Sequence, residues 1–211
     1  MNKQSGFTLI ELAIVLVIIG LLLGGVLRGQ ELINSAKVKN MARDFQNVQV
    51  YVYGYQDRFK ALPGDDHSAD THVVGTNATT GTQNGIIEGT WDTTTNTSET
   101  CVIWQHVRLA GLSPGSTTVS CAANNTYQPR NADGGLIGIQ SVSTFTEITG
   151  MAGAYVVCSD ALLGRFASQL DTTLDDGIGN TGAVRVAVRG TASTGVAAPA
   201  AGTVYMVCMS F

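Results

Sequence analysis

The chain has 211 residues, with 12 Lys and Arg against 16 Asp and Glu and a net charge of −4 at pH 7. That balance provides no broad basic surface, so a nucleic-acid partner is not supported by the sequence. Only 13% of residues are charged and 44% are hydrophobic; with a membrane-length segment set aside, the remainder suffices for one domain with a core and is short for two.

From Phe7 to Leu27 the sequence is apolar except for Thr8 and Glu11, and Glu11 is its one charge. As a helix rising about 1.5 Å per residue, this stretch reaches about 30 Å, the thickness of a bilayer's hydrocarbon core. A carboxylate at that depth costs a few kcal/mol and marks a functional position that needs a partner. The run outlasts the apolar core of a secretory signal, and no small-x-small cleavage site follows it, which argues against an ordinary signal peptide. Lys3 is the one basic residue before the span, whereas Arg28, Lys37, Lys39 and Arg43 follow it, so charge counting alone orients the helix inward.

A polar leader ending in Gly6, then Phe7-Thr8-Leu9-Ile10-Glu11 and a Leu/Ile/Val run, resembles the N-terminus of a type IV pilin or pseudopilin. The resemblance implies cleavage by a prepilin peptidase between Gly6 and Phe7, N-methylation of the new Phe7 amine, and assembly through Phe7 and Glu11. In such a filament the Glu11 carboxylate meets the positive N-terminus of a neighbouring subunit. Two opposite charges are less costly in a low-dielectric bundle together than apart. The implied partners are the peptidase, other pilins in a filament, and a pilus or secretion assembly machinery. The implied location is a single pass through the inner membrane, then an extracellular pilus, or a periplasmic filament for a pseudopilin.

Residues 1–6 are thus expected as leader, 7–27 as the membrane and assembly half of a long helix, 28–62 as its amphipathic half, and 63–211 as a globular head. In the amphipathic half Val38, Met41, Phe45, Val48, Val52, Tyr55, Phe59 and Leu62 recur at spacings of three and four, one apolar stripe to be covered by the chain's own sheet. Pro63 and Gly64 predict the stop. No proline falls between Phe7 and Leu62, although Gly20, Gly24, Gly25 and Gly29 each cost about 1 kcal/mol relative to alanine in a helix.

Residues 65–100 are rich in Thr, Asn and Gly and predict a long loop with a short strand around Ile86 and Ile87. A helix is predicted over 99–112, strands over 136–139, 154–158, 183–188 and 204–209, and a further helix over 161–170. This order suits an α+β class, a pilin-like long helix packed on an antiparallel sheet.

All four cysteines lie beyond the span, on the side the leader would place outside the cytoplasm. Of three possible pairings, Cys101–Cys121 closes a short excursion and Cys158–Cys208 joins two strand-like segments, and these are favoured. His67, His72 and His106 lack metal or catalytic spacing, and His106 suits a hydrogen-bonded structural role. No P-loop occurs. Two acidic groups remain: Asp65, Asp66 and Asp70, and Asp171, Asp175 and Asp176 with Asn180. Either has the oxygen chemistry for calcium without the EF-hand spacing, the second being the candidate set; solvated turns are the plainer reading, and no other cofactor is expected.

The expectation is a structural pilus subunit without enzymatic activity. The alternatives are a pseudopilin of a type II secretion system and, from another class, a membrane-anchored periplasmic enzyme or binding protein.

Overall fold

The computed structural model describes residues 8–78, 83–122 and 126–211. Gly6 and Phe7, the expected cleavage and methylation positions, lie outside them. The chain divides into two compact units, Met1–Lys37 and Val38–Phe211, and α1, Leu9–Phe59, contributes to both.

In the first unit α1 is apolar around its whole circumference from Leu12 to Leu27, and the side chains from Leu9 to Leu27 are exposed. By length and composition this helix can cross a membrane. The four glycines interrupt no part of it, since Gly20, Gly24, Gly25 and Gly29 all lie within the helical span.

In the second unit α1 buries Val38, Met41, Ala42, Phe45, Val48, Val52 and Tyr55, the stripe read from the sequence as far as Tyr55 with Ala42 added, while Phe59 is half-buried. The helix ends at Phe59, three residues before the predicted stop, because Lys60 adopts a left-handed φ of 55° and closes the last turn. Leu62 is buried beyond the helix. Gly64 follows with φ 96°, and a Cβ there would lie 2.9 Å from the Glu99 carbonyl. Glycine therefore lets the backbone pass against the helix α3, Glu99–Leu109. A four-residue helix, α2, covers Ala69–His72.

The sheet has four antiparallel strands: β1 Ile137–Ser141, β2 Tyr155–Leu163, β3 Val184–Ala187 and β4 Val204–Ser210, in the order β1-β2-β4-β3. The helix α4, Gly164–Leu174, follows β2 directly. Residues 161–163, predicted as the start of that helix, continue β2 instead, past an irregularity between Ser159 and Leu162 where Ala161 takes a φ of 58°. Pairing with Tyr205 and Val204 holds Leu162 and Leu163 in the sheet, so tertiary hydrogen bonding overrides local helix preference. Likewise α3 stops at Leu109, with Gly111 at φ 74°.

Side-chain alternation divides the sheet into two buried faces. Ile139, Val157, Val186 and Val207 share one apolar cluster with the buried α1 residues from Val38 to Val52 and with Ile103, Trp104 and Val107 of α3. Val156, Cys158, Met206 and Cys208 share the other with Trp91, Ile148 and Met151. Burial on both sides explains the consecutive apolar residues Tyr155–Cys158 and Val204–Met209. No strand forms at Ile86 and Ile87. Ile87 is buried in the first apolar cluster and is bonded to Ser141, receiving a 3.2 Å hydrogen bond from the Ser141 N–H and donating its own N–H to Ser141 Oγ at 2.8 Å. The loop is pinned by Trp91, whose N–H donates to Gln140 Oε1 at 2.8 Å. Gly138 of β1 permits this approach, since a Cβ there would overlap the Trp91 carbonyl.

Candidate functional site

At the start of α1, the Thr8 N–H and Thr8 Oγ1 donate to Glu11 Oε2 at 2.8 and 2.7 Å, and the Glu11 N–H lies 3.3 Å from Thr8 Oγ1. This reciprocal capping box satisfies helix donors that lipid cannot. Among the described residues both contacts fall on Oε2, so the carboxylate is held at the N-terminal end of the helix. The T-x-x-E spacing was legible in the sequence, yet Thr8 was not singled out there.

The structure joins Cys101 to Cys121 and Cys158 to Cys208, and no cysteine is free. Cys158 and Cys208 face each other directly across β2 and β4, which ties the two central strands. Cys101 anchors the first turn of α3 to the loop that follows it.

The first acidic group is drawn inside the head. Asp66 is fully buried and receives Tyr55 Oη–H at 2.7 Å and the Ser68 N–H at 2.9 Å, and it lies 2.7 Å from His72 Nδ1. Burial raises its pKa, but the His72, Tyr55 and Ser68 hydrogen bonds outweigh that and leave it below the ordinary value. Phe59 stacks on His72 with centroids 5.5 Å apart. Asp65 receives the Gly85 N–H at 2.8 Å, and its pKa is raised by burial. Asp70 separates from this group and is exposed on α2. His106 accepts the Gly64 N–H at Nδ1, 3.0 Å, which leaves Nε2 to donate to the Thr76 carbonyl at 2.7 Å. Burial pushes His106 down and keeps it neutral. It is a structural histidine bonding two loops to α3.

Glu99 belongs to the same buried region and was not a sequence candidate. One oxygen accepts the Glu88 N–H at 2.7 Å, while Oε1 has no partner. Burial, with Asp65 and Glu88 nearby, pushes its carboxyl up to about 7.

The second acidic group gathers at the C-terminal end of α4. One ligand oxygen from each of Asp171, Asp175 and Asp176 lies within 4.8 Å of the others. Asn180 sits with its Cα and Cβ beside Gly195.

A cleft of roughly 440 Å³ opens between α1, α3 and the following loop, lined by Asp44, Tyr51, Trp104, Arg108 and Arg130. Arg108 is committed to the carbonyls of Pro114, Ser116 and Tyr127 at 3.2, 3.0 and 2.6 Å. Its guanidinium also lies 4.6 Å from the Tyr127 ring centroid. Arg108 thus braces the loop, Arg130 donates to the Gly134 carbonyl at 2.8 Å, and Ser113 Oγ donates to the Pro114 carbonyl at 3.3 Å rather than to a base.

A family model described as the prokaryotic N-terminal methylation motif matches residues 1–27. No curated protein and no solved structure gives a significant match. The motif implies prepilin peptidase processing and filament assembly, and with the apolar helix it fits membrane anchoring before assembly. It suggests a structural subunit rather than an enzyme. Together with a long apolar helix and a head built on a four-stranded antiparallel sheet, the match supports placing this chain in the type IV pilin and pseudopilin family.

Proposed function

We propose that this chain is the structural subunit of a type IV pilus, cleaved after Gly6, methylated on Phe7 and polymerised through its N-terminal helix. The observation that carries the reading is the methylation motif over residues 1–27. Glu11 supports it, since this acid opens an otherwise apolar helix and is held at the end nearest the cleavage position. On assembly, the Phe7 amine of one subunit neutralises Glu11 of its neighbour, while lipid contacts of the apolar side chains are exchanged for helix contacts of similar polarity. The disulfide-bonded head is carried outward and requires no cofactor for this role.

Mass spectrometry of the mature N-terminus, combined with electron microscopy of cells and culture medium, tests the reading. A methylated Phe7 with filaments on the cell surface supports a pilus. Filaments confined to the periplasm support the pseudopilin of a secretion machine. An intact hexapeptide leader on a monomeric native protein overturns both. Glu11→Ala should leave membrane insertion intact and reduce filament yield; unchanged yield removes the charge-pairing mechanism.

A further inference from the structure

We propose that Asp171, Asp175 and Asp176 form a calcium site that fastens the end of α4 to the loop leading into β3. The inference does not depend on the filament reading. Three carboxylates lie together at the C-terminal end of a helix, where the helix dipole already favours positive charge. The last turn of α4 holds no basic residue, and among the described residues none of the three acids is joined to a lysine, arginine or histidine. Arg185 donates instead to the Thr149 carbonyl at 2.8 Å.

An independent observation separates this group from a solvated acidic turn. Asp171 is 1% exposed, and neither of its carboxylate oxygens has a hydrogen-bond partner. A buried, unpartnered carboxylate is costly, and facing two more of the same sign compounds the cost. Burial, with Asp176 and Asp175 adding to it, pushes Asp171 up to about 6, while the Gly177 N–H, near the carboxylate but short of hydrogen-bond geometry, pulls the other way.

The neighbouring acids are already positioned. Asp175 Oδ2 accepts the N–H groups of Ala183 and Val184 at 2.5 and 3.0 Å. Asp176 receives the Ile178 N–H at 2.8 Å and the Thr181 hydroxyl at 2.6 Å. These bonds fix the loop around an all-oxygen donor set. Calcium accepts six to eight such oxygens in irregular arrangements, whereas magnesium demands a near-octahedral shell and gives up its waters reluctantly. The site therefore favours calcium.

The test uses the full chain in detergent, stripped with chelator and returned to chelator-free buffer near neutral pH. Calorimetric titration with calcium chloride should show one saturable event. Calcium at a hundred times its dissociation constant should raise the melting temperature by about 5–10 °C. Magnesium should bind at least about tenfold more weakly. Asp171→Asn should keep its circular dichroism and lose at least about tenfold in calcium affinity. Asp176→Asn, at an exposed position, provides the same readout if the buried substitution disturbs folding. An absence of saturable heat with an unchanged melting temperature in millimolar calcium overturns the site. So does an equal response to magnesium, or wild-type affinity in whichever folded variant is measured.

Discussion

The two acidic groups look alike in sequence and behave oppositely in the fold. Asp66 is surrounded by donors from α1, α2 and its own loop, and its burial is compensated bond by bond. Asp171 is as deeply buried, but its nearest charged neighbours are two more carboxylates. The contrast teaches that burial of an acid has no fixed consequence. A carboxylate with three donors ties elements together, and one with none calls for an ion from outside.

Asp66→Ala breaks the comparison most severely, because it strands Tyr55 Oη–H, the Ser68 N–H and His72 at once. About 3 kcal/mol of head stability should be lost, measured by urea unfolding of the full chain in detergent. Tyr55→Phe removes one donor and leaves the other two, so a loss of about 1.5 kcal/mol is expected in the same assay. A loss equal to that of Asp66→Ala would mean that the tyrosine bond alone carries the network.

Asp171→Asn should act with the opposite sign when no calcium is present. A carboxyl raised from 3.8 to about 6 on folding binds more protons in the native state. Its stabilising contribution is therefore fully present below the unfolded pKa and is lost as pH rises towards and through 6. The asparagine variant should lack this component and be more stable than wild type at neutral pH, on the order of 1 kcal/mol after solvent screening. The difference between the two unfolding curves from acid to neutral pH isolates Asp171 from Glu99, which has the same sign and a higher window, lost as pH rises through about 7. The smallest effect is expected for Asp176→Asn without calcium, within about 0.5 kcal/mol, because the position is exposed and an amide oxygen can still accept the Thr181 hydroxyl. A large calcium-free loss there would show that the loop is held by its own hydrogen bonds.

The two halves of α1 show how much of the architecture was readable. Period-3.6 spacing from Val38 to Tyr55 identified the packed face, because a helix with one apolar stripe has one way to bury it. The strands were located to within a few residues for the same reason, although β2 ran on to Leu163 where a helix was expected. Pairing with β4 decided that boundary. The Thr-rich region offered no periodicity, so the burial of Ile87 and Trp91 in the two apolar clusters of the sheet could not be read from it. Nor could the Tyr55–Asp66–His72 cluster, whose members come from two helices and a turn.

The sequence by itself determined the membrane-length helix, the cleavage and methylation motif around Gly6 and Phe7, the isolated acid at Glu11 and the apolar stripe. Each is a property of consecutive residues and of one helix's repeat. The tertiary structure decided which acids are partnered, which carboxylate is stranded and where β2 gives way to α4. Those outcomes depend on donors and strands that arrive from distant parts of the chain, and proximity in space is the one thing local composition does not encode.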